Sequence, residues 1–298
     1  QLDGAQSVYI SGRYAYVTAL NSDRLTIVDV SDPSSPAVVG SITDATLLNQ
    51  PDSVRVFGKY AYVIAGLDNR LTIVDVANPS APTIIGSVAD AVMLNVPGGS
   101  YISGRYAYVT AQNTDRLTIV DVANPSAPTI IGSVANATAL DSPQDVYVSG
   151  RYAYVVSSNS DSLAVVDVSN PTSPTVSGRL IDATNLDNPQ SVYVSGRYAY
   201  VAALTADRLT IVDISNPRSP TVTGSVTDAT QHMLGSPVDP SMIQRIEGTY
   251  FTGSPYNVTG RATQIAGGMM KSSDRYIRRA FSNIDEIPST APTPPVRR

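Results

Sequence analysis

The first four-fifths of this chain is written in short runs of β-branched and tyrosine-rich positions, cut by Gly, Pro, Asn and Asp. A representative stretch shows the pattern. Residues 146–148 are apolar and lead into the turn Ser149-Gly150-Arg151, and a second apolar run follows at 152–156. Polar turn residues fill 159–162 before a third run at 163–168. The turn Asn170-Pro171-Thr172-Ser173-Pro174 then precedes a fourth run at 175–180. Runs of this length and composition predict strands, with proline confined to turns where its fixed φ helps and its missing N–H costs nothing.

The same four-strand unit recurs without drift. The glycine of the Ser-Gly-Arg-Tyr-Ala-Tyr-Val phrase stands at Gly12, Gly58, Gly104, Gly150 and Gly196, a constant step of 46 residues. The aspartate of Leu-Thr-Ile-Val-Asp-Val keeps that step at Asp29, Asp75, Asp121, Asp167 and Asp213, each followed by a Pro-x-x-Pro turn. Four antiparallel strands in about 40–50 residues is the composition of a propeller blade, whereas parallel β-helix coils use shorter repeats. In 25–30, Leu25 and Ile27 point one way while Thr26, Val28 and Val30 point the other. Apolar residues on both faces suit a blade stacked between two neighbours. The fold expected is therefore an all-β propeller of four-stranded antiparallel blades.

At residues 25–36, 71–82, 117–128, 163–174 and 209–220, the apolar strand followed by Asn/Asp-Pro-x-x-Pro resembles the LVIVD repeat. That resemblance implies an extracytoplasmic propeller of the bacterial and archaeal surface or secreted kind. It brings no shared catalytic residues.

The organisation expected is a propeller of five regular repeats over 1–235, a degenerate blade or closing segment over 236–270, and a basic, Pro-rich docking tail over 271–298. Residues 246–252 echo the strand–Gly–Tyr phrase, so the count is five blades, or six with a degenerate last one. The segment beyond 235 holds eight basic and five acidic residues, leaving 12 basic and 20 acidic on the repeats. A basic tail beside an acidic body suggests docking, in cis or on a neighbouring copy. A short helix over 272–281 would present Tyr276, Arg278, Arg279 and Phe281 for such an interaction.

Composition narrows the chemistry. The 298 residues include no Cys, no Trp and one His, His232, so thiol chemistry and His- or Cys-rich zinc patterns are excluded. Net charge is −5, which argues against a broad nucleic-acid surface. No run approaches the roughly 20 apolar residues of a spanning helix. A start at Gln1 fits an exported chain whose signal peptide has been removed, at an extracellular or cell-surface location.

Candidate residues fall into series. Asp29, Asp75, Asp121, Asp167 and Asp213 are structural, positioned to accept turn N–H groups. Asp23, Asn69, Asp115, Asp161 and Asp207 precede the third strand and are mostly followed by arginine (Arg24, Arg70, Arg116 and Arg208, but Ser162); they are read as turn formers with surface ion pairing. Asp44, Asp90, Asn136, Asp182 and Asp228 lie in the connections between blades and are the candidates for holding Ca²⁺ or a glycan; no other cofactor is expected. The tyrosine pairs such as Tyr14/Tyr16 are expected to pack between blades. Tyr9, Tyr101, Tyr147 and Tyr193 form a further series that Arg55 breaks. Asn136 and Asn257 begin glycosylation triplets.

These features lead to the expectation of a non-catalytic extracellular structural or interaction protein, self-associating or binding a surface partner through its C-terminal segment. The alternative is a lectin-like propeller using blade-junction loops. A hydrolase would need two carboxylates in a cleft and an asymmetric blade to carry them.

Overall fold

The computed structural model describes residues 2–227, and it consists of five four-stranded antiparallel sheets. Blade one contains β1 (Ala5–Ser11), β2 (Tyr14–Ala19), β3 (Arg24–Asp29) and β4 (Ala37–Thr43). Blade two contains β5 (Pro51–Phe57), β6 (Tyr60–Ala65), β7 (Arg70–Asp75) and β8 (Thr83–Ala89). Blade three contains β9 (Pro97–Ser103), β10 (Tyr106–Ala111), β11 (Arg116–Asp121) and β12 (Thr129–Ala135). Blade four contains β13 (Pro143–Ser149), β14 (Tyr152–Ser157), β15 (Ser162–Asp167) and β16 (Thr175–Ile181). Blade five contains β17 (Pro189–Ser195), β18 (Tyr198–Ala203), β19 (Arg208–Asp213) and β20 (Thr221–Thr227).

Strand order within every sheet follows chain order, so each blade is a meander built from tight turns. The first turn requires φ > 0, and Gly150 supplies it at φ 59°. The second turn places an Asp or Asn in the left-handed region, Asp23 at φ 47° and Asn69 at φ 51°, the residue types that tolerate it after glycine. The first strands, β1, β5, β9, β13 and β17, lie side by side around the axis, and the fourth strands form the outer edge.

The apolar core is divided into four layers, one at each blade junction. Between blades one and two, Tyr16, Leu25 and Ile27 pack on Val54, Val56, Ala61, Val63 and Val74. The same arrangement recurs between blades two and three, three and four, and four and five. Each blade thus presents a trailing face of Tyr, Leu and Ile to a following leading face of Val and Ala. The outer strand carries a glycine because the next blade comes too close for a side chain. A Cβ on Gly132 would stand 2.2 Å from the carbonyl oxygen of Pro171.

Burial on both faces holds for blades two to four. Among the described residues, blade one has no neighbour on its leading face and blade five none on its trailing face, so Val8, Ile10 and Leu209 are exposed. The proposed sixth blade, the docking tail with Tyr276, Arg278, Arg279 and Phe281, Asp228, His232 and Asn257 lie outside the described residues.

Candidate functional site

The repeated aspartates are engaged with their own backbone. Asp29, Asp75, Asp121, Asp167 and Asp213 each accept the N–H two residues on at 2.9 Å. Each also pairs with the basic residue of the first turn: Arg13, Lys59, Arg105, Arg151 or Arg197. That side chain lies over the adjacent tyrosine, Arg13 being 5.3 Å from the Tyr14 ring centroid. The guanidinium and the turn N–H together hold the carboxyls of Asp167 and Asp213 down to about 2.

The second series acts differently from the expectation. Asp23 does not pair with Arg24; its carboxylate accepts the Gln50 N–H at 2.9 Å, at the entrance to the next blade. Asn69, Asp115 and Asp161 do the same for Val96, Ser142 and Asn188. Arg24 instead donates to the Ser41 hydroxyl at 2.8 Å, because its strand directs it across the sheet to β4.

The blade-junction candidates are turned inward. Asp44 accepts the Thr46 and Leu47 N–H groups at 2.9 and 2.8 Å. Asp90, Asn136 and Asp182 cap their own turns in the same way. No three acidic or histidine side chains gather into a metal-sized cluster among the described residues.

A different set converges on the axis. A cavity of about 390 Å³ is lined by Tyr9, Arg55, Tyr101, Asp145, Tyr147 and Tyr193, together with parts of the same strands. All come from first strands, and period-two alternation aims positions 145 and 147 of β13 at the same space. The rings of Tyr101 and Tyr147 are 4.7 Å apart, and those of Tyr147 and Tyr193 5.2 Å, making a continuous phenolic wall across three blades. Burial, followed by the bond with the Tyr101 hydroxyl, raises the Tyr147 phenol, while the bond with Tyr193 opposes this.

Two residues break the repetition. Arg55 stands where the other blades have tyrosine, and Asp145 stands where they have Ser7, Ser53, Gly99 and Ser191. The Asp145 carboxylate accepts the Ser191 hydroxyl and Val192 N–H at 3.1 Å each and the Val146 N–H at 2.9 Å. Gly99 in the preceding blade makes the space, since a Cβ there would be 2.7 Å from the Asp145 carboxylate. Enclosure by protein raises the Asp145 pKa, and the three hydrogen bonds and the charge of Arg55 only partly offset this. Among the described residues, the axial cavity is thus lined by one cation, one carboxylate with a raised pKa and four tyrosines.

Asp145 belongs to none of the repeated aspartate series. The signal was available as asymmetry: Arg55 interrupts a tyrosine series, and Asp145 and Gly99 interrupt a serine series at the neighbouring inward position.

The architecture is that of a β-propeller. The LVIVD repeat matches residues 4–44, 50–90, 101–136, 142–182 and 188–228, more than half of the chain, and the protein belongs to the LVIVD-repeat family. No curated protein sequence matches it. Similar solved structures include a candidate 6-phosphogluconolactonase from Bacteroides fragilis, with TM-score 0.62 and 15% identity over 74% of this chain and 69% of that one. The periplasmic gluconolactonase of Pseudomonas aeruginosa has TM-score 0.61 and 17% identity, covering 75% and 69% of the two chains. A functionally unknown protein of Desulfotomaculum acetoxidans has TM-score 0.63 and 13% identity, covering 75% and 70%. At these identities the likeness is one of fold. It nevertheless corrects the expectation of a non-catalytic structural protein: neighbours of this fold carry the names of lactone-hydrolysing enzymes, and blade regularity therefore does not exclude catalysis.

Proposed function

We propose that the axial pocket binds and hydrolyses a small polyhydroxylated lactone. The observation that carries this reading is that Arg55 and Asp145 line the same cavity, at the two inward positions among the described residues where charge replaces Tyr or Ser. A pocket of about 390 Å³ suits a monosaccharide-sized ligand. Tyrosine rings offer flat apolar faces to sugar C–H groups, and their hydroxyls offer hydrogen bonds to sugar oxygens. The names of the gluconolactonase neighbours support the choice of a sugar lactone as the substrate class.

In this reading Asp145, in its ionised form, takes a proton from a water molecule as the water oxygen attacks the lactone carbonyl. Arg55 stabilises the oxyanion that develops. The ring C–O bond then breaks, and the leaving oxygen takes the proton from Asp145, giving the open hydroxy acid. The raised pKa of Asp145 makes it a stronger base than an ordinary carboxylate.

Proton release from glucono-δ-lactone, measured in a pH-stat above the spontaneous rate, tests the proposal. Asp145→Asn is expected to lower kcat about 10²–10⁴-fold, the usual contribution of a general base. Arg55→Gln is expected to lower kcat/KM. Hydrolysis no faster than the spontaneous reaction for the full chain, across glucono- and phosphoglucono-lactones, would defeat it.

A further inference from the structure

The first strands line the axis in layers. Period-two alternation puts every second residue of such a strand on its inward side, and the fixed step of 46 residues keeps the five strands level with one another. Asp145 belongs to an inner layer and Arg55 to a middle one. An outer layer follows beside the turn glycines, at Ser11, Phe57, Ser103, Ser149 and Ser195. Neighbouring layers are two residues of strand apart, about 7 Å, so the inner and outer layers are separated by about 13 Å.

The outer layer breaks its repetition once. Phe57 stands where the other four blades have serine, on β5, two residues beyond Arg55 and on the same side of the strand. It lines the same cavity as Arg55 and Asp145. The layer itself is uncharged. The basic turn residues that follow it, Arg13, Lys59, Arg105, Arg151 and Arg197, are drawn away from the axis to the aspartates that end the third strands. One aromatic ring among serines is chemically suited to a neutral sugar ring. Phe57 offers a flat face to its C–H groups, and serine hydroxyls both donate to and accept from its hydroxyls. A phosphate would meet no cation in this layer, although charge-assisted bonds from Arg or Lys are what recognise it.

We infer that the outer layer is a second sugar subsite, and that the ligand is a neutral 4-O-glycosyl aldonolactone rather than a phosphorylated monosaccharide lactone. The inference rests on the reading that the axial pocket takes a sugar lactone by its carbonyl end. With the carbonyl carbon between Asp145 and Arg55, C4 lies across the same ring and faces the outer layer. A glycosyl group on O4 then extends along the axis to Phe57. The separation of about 13 Å between inner and outer layers suits two rings in line, and exceeds what one ring spans. Phe57 in this arrangement selects the substrate and takes no part in breaking bonds.

Initial rates of the full chain on cellobiono-, glucono- and 6-phosphoglucono-δ-lactone test the inference. They are paired with calorimetric titration of cellobiose and of glucose, which needs no turnover. The kcat/KM for cellobiono-δ-lactone is expected to exceed the other two about 3–10-fold, the worth of one aromatic contact, and cellobiose is expected to bind more tightly than glucose by a similar factor. Phe57→Ser installs the residue of the other four blades, and circular dichroism matching the parent shows that it is folded. It is expected to bring both ratios to about one. If no lactone is turned over but the binding ratio and its loss in Phe57→Ser are seen, the hydrolytic reading falls and the second subsite stands. A glucono- or phosphogluconolactone used as well as the cellobiono-lactone, or a preference that survives Phe57→Ser, overturns the subsite and leaves hydrolysis in place. Cellobiose binding no tighter than glucose overturns it whatever the rates.

Discussion

Leu117 and Leu209 are the same residue at the same place in two blades, and they differ in what lies over them. Leu117 is fully buried at the junction of blades three and four, against Val146, Val155 and Val166 among others. Truncating it to alanine removes buried methyl groups and leaves a cavity, which costs about 2.7–5 kcal/mol in comparable leucine sites. Leu209 is 43% exposed, so little more than half of its burial is lost on truncation. Full burial of a leucine contributes about 1.5–3 kcal/mol, which sets the cost for Leu209→Ala at about 1–1.7 kcal/mol, with water filling the space instead of a void. The expected gap between the two variants is about 1–4 kcal/mol, centred near 2 kcal/mol. Urea unfolding followed by tyrosine fluorescence and circular dichroism, on dilute protein, reads this gap as a difference of about 1 M in midpoint at a slope near 2 kcal/mol/M. Equal midpoints for the two variants would refute the reasoning, because they would mean that the trailing face of blade five is covered within a single chain.

Other consequences are open to direct measurement. Gly132→Ala drives a Cβ against the Pro171 carbonyl and is expected to cost about 1–3 kcal/mol by overpacking, whereas Gly224→Ala is expected to be neutral or slightly stabilising in the monomer; thermal melts distinguish them. The carboxyls of Asp167 and Asp213 are lowered to about 2 from an ordinary value near 4. A depressed folded-state pKa contributes stability that is complete above the unfolded value and lost as pH falls, so the melting temperature of the parent should drop between about pH 4 and pH 2. Asp167→Asn should flatten that drop, and an unchanged profile would argue against the pairing with Arg151. Lactone hydrolysis should rise with pH through an apparent pKa above the usual carboxylate value, since only ionised Asp145 accepts a proton; a flat kcat profile from pH 4 to 7 would remove it as the base.

The blades were legible because repetition multiplies a weak local signal. One apolar run bounded by Gly and Pro is ambiguous, but five copies at a fixed step of 46 residues fix strand number, turn position and register together. The tight turns and the role of the Asp29 series followed from local backbone chemistry, which sequence displays well. The axial site was less legible because it depends on residues brought together from different blades: Arg55 from β5, Gly99 from β9, Asp145 from β13 and Ser191 from β17. Attention to repeated carboxylates favoured residues whose oxygens are satisfied by their own turns, as Asp44 is by Thr46 and Leu47. Asp145 occurs once. Its chemistry arises from enclosure and from Arg55, which no periodicity reports.

The hydrogen bond from the Gln50 N–H to Asp23, repeated at Asn69, Asp115 and Asp161, joins each blade to the start of the next across only 27 residues. Every link between blades is thus made between sequence neighbours, and its acceptor and donor are of the same kind at each link. A gene carrying such a fold can gain or lose a whole 46-residue cassette without inventing a new contact, because the cut ends already match. Such edits would widen or narrow the central bore while leaving the turn chemistry of the surviving blades unchanged. Evolution can in this way adjust the size of the axial chamber separately from the identity of the few side chains that line it.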